Sequence, residues 1–384
     1  RNNPSIPMPE KNGSVSRGND CKLYRFDKCR FLSPAGLSFA RVPHMPQKPR
    51  FLIIRFSSFG DVTQCLSVPS NICASYPEAE VHWITRKDMA PLLKNHPAIH
   101  RVWEYDRKTG LKGLFRLLNE MSSIKFSHIY DAHNNIRSRF VYWRLGLFSS
   151  CKFLRRSQKR WKRFLLFRFH KNTFEQPFSG QRDLLEPLTQ WNIEKSLPPV
   201  PQLFLGPLEI DKSTELLGSW GKKSYIALAP SAAYFLKRWP LEHFKRLILS
   251  MPEHNFVLIG GPEDRFIEEL AAVAPSRTLN TAGKASLLVS SALVRGANAL
   301  ISNDTGLLHV GEQLGIPTIA LMGPAPFGFP SRENTKILEL DLPCRPCSKH
   351  GQGPCINKIY HQCLIDITPE QVRREVLIKL EAKK

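Results

Sequence analysis

The sequence predicts an α/β protein: two Rossmann-like domains facing a cleft. Three observations lead there. Short apolar runs alternate with segments of helical periodicity along nearly the whole chain. A Pro-rich stretch, SLPPVPQLFLGPLE at 196–209, divides the alternation into two similar arrays, as an interdomain linker does. In both arrays a polar turn follows an apolar strand, the place where open α/β sheets bind ligands. With 384 residues, 42% of them hydrophobic, the chain is long enough for two cores. The expected units are 1–47, 48–200 and 201–384.

Residues 1–47 are polar, basic and rich in Pro and Gly, and are expected to be a poorly ordered extension without a signal-peptide hydrophobic region. Met45, just ahead of the first apolar run, is the expected natural start. In the first domain, strands are expected at 51–55, 80–84, 100–103, 127–131 and 151–154, with helices at 62–76, 87–95 and 110–122. In the second, strands are expected at 225–229, 255–259, 277–279, 298–301, 317–322 and 336–339. Helices fall between them at 240–250, 263–273, 285–295 and 305–314. Thr368-Pro369-Glu370 starts a closing helix over 369–382, with a capping hydroxyl and a first-turn proline. No apolar run approaches the roughly 20 residues that span a bilayer.

Three turns carry the chemistry. In ANALISNDTGLLHVGEQLGIPTIALMGP, residues 297–324, a strand runs through Ser302-Asn303-Asp304-Thr305-Gly306 into a helix that Gly315 and Pro317 stop. Unpaired N–H groups at that helix start, with the helix dipole, favour a phosphate. Asp304 would repel a phosphate but suits hydroxyls, so the turn reads as a sugar site beside a phosphate. The simpler reading is that Asn303 or Asp304 caps the helix. In RFLIIRFSSFGDVTQCLSVPSNI, Asp61 follows the first strand of an α/β unit. In IALAPSAAYFLKRWPLEHFKRLI, the loop Pro230–Arg238 carries Lys237, a cation able to neutralise phosphate.

These segments resemble the ADP-heptose:lipopolysaccharide heptosyltransferases, glycosyltransferase family 9. The matching pieces are RFSSFGDV, YPEAEVHWITR, APSAAYFLKRWP, LIGGPED, SNDTGLLHVGEQLGIPTIALMGP and CRPC, in that order, over about residues 50–375. The resemblance implies the GT-B architecture, an ADP-heptose donor, inversion at the anomeric carbon, and a lipid A–Kdo or partial-core lipopolysaccharide acceptor. It also implies a cytoplasmic enzyme, peripheral at the inner face of the inner membrane. Asp61 occupies the position of the family's general base. Lys237, Thr305, Gly306 and the helix N-terminus are expected to stabilise the departing diphosphate. Ser231 would add a hydrogen bond, Asp304 would hold sugar hydroxyls, and Glu263 would bind the ribose diol or cap its helix. His309 would touch the ligand or brace the loop. Two departures stand out: Gln64-Cys65-Leu66 after the base, and Ala232-Ala233 where some relatives carry hydroxyls. No Asp-x-Asp dyad occurs in the chain, so no metal on the diphosphate and no cofactor is expected.

The net charge of +22 is concentrated in part between 132 and 174, where Lys and Arg abound and Asp and Glu are missing. There Lys159, Arg160, Lys162 and Arg163 interleave with Phe153, Trp161, Phe164, Phe167 and Phe169. A solvated basic face and nucleic-acid binding use the same ingredients. No nucleic-acid module is recognisable, and nucleic acid is not expected as a partner. The preferred reading is an anionic membrane surface carrying a phosphorylated lipid acceptor. Cys21, Cys29, Cys65, Cys73 and Cys151 form no framework. Cys344, Cys347, Cys355 and Cys363 follow a C-x2-C-x7-C-x7-C pattern, open between reduced packing thiols, the expectation adopted, and a structural zinc.

Overall fold

The structure, a computed structural model, describes residues 48–146 and 150–382. The N-terminal extension with Met45, Cys21 and Cys29 lies outside the described residues. The described residues belong to one compact unit built on two parallel sheets.

The first half runs β1 (Arg50–Ile54), α1 (Phe59–Cys65), α2 (Ser67–Ser75), β2 (Glu80–Arg86), β3 (Arg101–Tyr105), α3 (Gly110–Met121), β4 (His128–Asp131), α4 (Ile136–Gly146), β5 (Lys152–Arg155), α5 (Arg160–Phe169) and α6 (Gly180–Leu185). The second runs α7 (Pro207–Leu217), β6 (Tyr225–Ala229), α8 (Leu241–Ser250), β7 (Asn255–Leu258), α9 (Ile267–Val273), β8 (Thr278–Asn280), α10 (Leu287–Gly296), β9 (Ala299–Asn303), α11 (Gly306–Leu314), β10 (Thr318–Leu321), β11 (Thr335–Leu338), α12 (Gln362–Ile365) and α13 (Pro369–Glu381).

The sheet orders are β3-β2-β1-β4-β5 and β11-β10-β9-β6-β7-β8, and every pairing is parallel. Counted within its own half, each sheet has the doubly wound order, which reverses direction between its first and fourth strands. Central strands are covered on both faces and therefore read as continuous apolar runs, such as the fully buried YIALA of β6.

Every expected strand is present within two residues of its expected bounds. Three helices differ. The expected helix 62–76 begins earlier, at Phe59, and breaks at Leu66; Pro69, early in α2, lacks the N–H that a continuous helix would require from it. The expected helix 87–95 is a single 3-10 turn, Ala90–Leu92, cut short around Pro91. The expected helix 263–273 starts at Ile267, because Asp264 folds back to accept from the Gly261 N–H at 2.8 Å. Within the basic stretch, residues 160–169 form α5, a helix not read from the sequence.

The two halves are joined by more than the Pro-rich stretch. The Gln313 amide donates to the Thr63 carbonyl at 2.8 Å, and the Gln202 N–H donates to the Gln313 carbonyl at 2.6 Å. Ser179 and Ser331 share a hydrogen bond of 2.7 Å between hydroxyls, and Arg332 donates to the Pro198 carbonyl at 2.8 Å. One apolar cluster continues from Phe51, Trp83 and Leu185 to Ala227, Val257 and Leu300. These contacts fix the distance between the sheets, and so the width of the cleft.

Candidate functional site

The chain order of each sheet leaves a crevice at the carboxyl ends of its first and fourth strands. In the first half the loops after β1 and β4 carry Arg55 to Ser58 and Ala132 to Asn135. In the second, the loops after β6 and β9 carry Pro230 to Pro240 and Asp304-Thr305. The crevices face each other. At the closest approach a Cβ on Gly60 would lie 3.3 Å from the Gly306 Cα, and one on Gly306 would lie 2.2 Å from the Phe59 ring. Hydrogen at these two positions lets the starts of α1 and α11 meet. Two adjoining cavities result, of about 510 and 730 Å³, with Lys237, Asp304, Thr305 and Gly306 in their common wall.

Asp61 lines the smaller cavity and sits in the first turn of α1. Arg55, whose side chain is only 7% exposed, leaves β1 and reaches its carboxylate at 2.7 Å. The Ser58 N–H and hydroxyl donate to the same carboxylate at 3.1 and 2.7 Å. Burial pushes this carboxyl up, but the Arg55 guanidinium and the two Ser58 bonds outweigh it and hold the pKa at about 2. The carboxylate is 42% exposed toward the cleft, so its free lone pairs remain open to a ligand. Arg55 is anchored in turn by donation to the Ala132 carbonyl at 2.7 Å. Beside it Asp131 is fully buried; it binds Arg155 and accepts from the His133 and Asn134 N–H groups, setting the loop that borders the cavity.

On the opposing wall, Lys237 meets Asp304 at 2.5 Å, a charge contact without the alignment of a hydrogen bond. Thr305 caps α11 by position but makes no side-chain cap bond, so the N–H groups of the first turn stay free of side-chain partners. Glu263 is exposed at the mouth of the larger cavity. Ser231 lines that cavity too, but its hydroxyl is committed to the buried Asp264 at 2.6 Å. His309 is buried against Glu312 at 3.0 Å, and Glu312 accepts from the N–H groups of Ser331 and Arg332. His309 therefore lines the cavity and braces the segment across it.

The four cations read as one patch have different surroundings. Lys159 pairs with Asp183 and Glu186, both at 2.7 Å. Arg163 stacks on Phe327 at 4.4 Å and lines the smaller cavity. Arg160 and Lys162 are exposed, beside Trp161 at 70%, Phe164 at 48% and Phe169 at 61% exposure. Cys344, Cys347, Cys355 and Cys363 are free thiols around one small cavity of about 10 Å³. Among the described residues the one trio of ligand groups within 4.8 Å of one another is Glu80, His82 and His100, so the four sulfurs are gathered but not closed into a shell. In that trio Glu80 is held by Arg50, and His82 Nδ1 accepts from the Trp103 indole, which leaves the proton on Nε2.

Several site residues were missed from the sequence. Arg55 is a lone cation inside an apolar run, a signal that was available. Asp264, Asp131 and Asp183 each also bind a partner 24 to 33 residues away, which no local pattern announces.

Comparison with known proteins follows the same lines. The model of the family described as Glycosyltransferase family 9 (heptosyltransferase) matches residues 114–358. The lipopolysaccharide core heptosyltransferase OpsX of Haemophilus influenzae is 27% identical over 288 residues, covering 73% of this chain and 81% of that protein. A glycosyl transferase family 9 structure from Veillonella parvula superposes with a TM-score of 0.71 at 20% identity, over 87% of this chain and 98% of that one. The E. coli ADP-heptose lps heptosyltransferase II superposes at 0.67 and 22% identity, over 87% and 99%. The two structures share the fold.

Proposed function

The chain belongs to glycosyltransferase family 9, the heptosyltransferase family, and on that premise we propose a specific reaction. The protein moves a heptose from ADP-heptose onto the lipopolysaccharide inner core, a lipid A–Kdo acceptor, with inversion and without a metal on the diphosphate. The observation that carries this reading is the shared cavity. A carboxylate from the first half and a cation, a carboxylate and a helix N-terminus from the second all line it. The curated relative named above is a lipopolysaccharide core heptosyltransferase, which supports the acceptor class.

The acceptor hydroxyl attacks the anomeric carbon as the bond from that carbon to the β-phosphate oxygen breaks. The bonding electrons leave with ADP, and the hydroxyl proton passes to Asp61. A carboxylate of pKa about 2 is a weak base at rest. The attacking oxygen becomes acidic only as it bonds to carbon, so the proton moves late. A bound diphosphate nearby raises the carboxyl by like-charge repulsion. Growing charge on the leaving group is met by Lys237, released from Asp304, and by the unpaired N–H groups at the start of α11. Asp304 then turns to sugar hydroxyls, and Glu263 takes the ribose diol. One displacement with one base inverts the anomeric centre.

The outward face of α5 supports a membrane-surface role. Trp161 and Phe164 stack at 5.4 Å beside exposed Arg160, Lys162 and Arg168, the pattern of a helix lying on an anionic interface. No helix among the described residues is long and apolar enough to cross a membrane. In this reading the enzyme works at the cytoplasmic face of the inner membrane, peripherally attached.

Calorimetric titration with ADP, UDP and GDP in EDTA tests the donor. Selective ADP binding without metal is expected. Preference for UDP or GDP would keep the chemistry and change the donor; no nucleotide binding would defeat the reading.

A further inference from the structure

We propose that the tip of the Cys-rich loop, residues 348–352, forms part of the donor site, and that Lys349 and His350 bind the terminal phosphate of the donor diphosphate. This rests on the donor reading above and adds a phosphate clamp to it. Neither residue belongs to a strand or helix, and neither stood out in the sequence.

The loop is fastened to the donor wall at several points. At its base Arg345 donates to the Gly323 carbonyl at 2.9 Å, and His361 Nε2 lies 3.0 Å from the Leu236 carbonyl, next to Lys237. At its tip the Gln352 amide donates to the Tyr234 hydroxyl at 2.8 Å. The Ser348 hydroxyl accepts from the Gly351 N–H and donates to the Gln352 carbonyl, both at 3.0 Å, closing a tight turn. Gly351 has φ +79°, and a Cβ there would lie 2.8 Å from the Lys237 Cγ. The turn therefore lies directly against the Lys237 side chain, and glycine is required for it to do so. Lys349 and His350 face the smaller cavity, and His350 borders the larger one as well.

Charge balance gives these two residues a task. Each carboxylate lining the smaller cavity already has a cation: Asp61 has Arg55, and Asp304 has Lys237. Lys349 has no acidic partner among the described residues, and Arg163 on the opposite wall has none either. His350 feels both of these cations and Lys237; beyond the effect of burial, all three hold its pKa below the ordinary value, against a smaller pull from Asp61. A concave wall with uncompensated positive charge concentrates a polyanion. The donor's diphosphate is the polyanion that this cavity has to hold. The terminal phosphate, rather than the one next to the ribose, lies toward Asp61 and the anomeric carbon, on the side where the loop tip stands.

The test uses the full chain and its Lys349→Gln and His350→Gln variants, titrated with ADP, AMP and inorganic pyrophosphate at low salt, with melting temperatures as a control for folding. Removal of the Lys349 charge is expected to weaken ADP and pyrophosphate by about tenfold, and removal of the neutral His350 donor by about threefold. AMP, which lacks the terminal phosphate, should change by no more than about twofold. A merely structural loop would weaken ADP and AMP together, and that result overturns the proposal, as does unchanged ADP affinity. Wild-type protein that binds pyrophosphate through these residues but not ADP would remove the donor reading and leave the clamp standing.

Discussion

Replacing Asp61 by Asn separates catalysis from folding and from donor binding. Asn keeps the shape of the carboxylate and one acceptor for Ser58, but loses the charge facing Arg55 at 2.7 Å. The carboxylate is 42% exposed, so the ion pair is screened by water and its loss costs about 1 kcal/mol or less. Arg55 retains its bond to the Ala132 carbonyl. For a chain of 384 residues, at about 2.1 cal/mol/K of unfolding entropy per residue, a loss of that size lowers the melting temperature by roughly 1 °C. Loss of a general base lowers the rate by about 10²–10⁴. Turnover should therefore fall by about 10³ while ADP affinity stays within about twofold. The assay is transfer from ADP-heptose to a delipidated core acceptor, with ADP calorimetry on the same preparations. Turnover within about tenfold of wild type would refute Asp61 as the base. Equal loss of turnover and of ADP binding would recast it as a donor ligand.

The remaining predictions concern acid lability, the meeting of the two halves and the membrane face. His82, His96 and His128 are buried, and mainly through burial their pKa values fall to about 4, so the unfolded chain binds protons that the folded chain refuses. Stability should fall as pH drops from about 6.5 to 4, by roughly 1.4 kcal/mol per histidine for each pH unit. Asp61, lowered from 3.8 to about 2, adds a further loss between those values as its carboxylate is protonated. Denaturant melts at pH 7 and pH 5 check the histidines, and equal midpoints would contradict their neutral burial. Gly306→Ala places a methyl group 2.2 Å from the Phe59 ring and should cost about 1–3 kcal/mol and most of the transfer activity; a fully active, equally stable variant would mean that α1 and α11 do not meet closely. Replacing Arg160, Lys162 and Arg168 by Gln should weaken binding to anionic vesicles and spare transfer to a soluble acceptor. Parallel loss in both assays would move that surface into the active site.

Strand positions and site were legible in the sequence to different depths. Strands buried on both faces announce themselves as apolar runs, and the turn residues that follow them mark the carboxyl ends where ligands bind. Asp61, Lys237, Asp304 and Gly306 were therefore visible as chain positions before any geometry was available. Helix boundaries were less legible, because the breaks depend on Pro69, Pro91 and a side-chain bond from Asp264. The partners were less legible still. Nothing local says that Ser231 is committed to Asp264, or that Arg155 binds Asp131. Nor does anything local tell Lys159, neutralised by Asp183 and Glu186, from Arg160, which faces solvent next to Trp161, the ring partner of Phe164. Charge in a basic stretch is divided by tertiary contacts, and periodicity carries no record of them. The loop bearing Lys349 and His350 has no periodicity at all; its place follows from where Arg345, Gln352 and His361 bind.

The most direct test of the central claim, that one base and one cationic donor wall act across a shared cavity, is the stereochemistry of the reaction itself. Purified protein in EDTA, given ADP-heptose and an inner-core acceptor lacking the heptose, should release ADP and form a glycosidic bond of inverted anomeric configuration, read by NMR of the product. Retention of configuration, or transfer that appears only when a divalent metal is restored, would contradict the account.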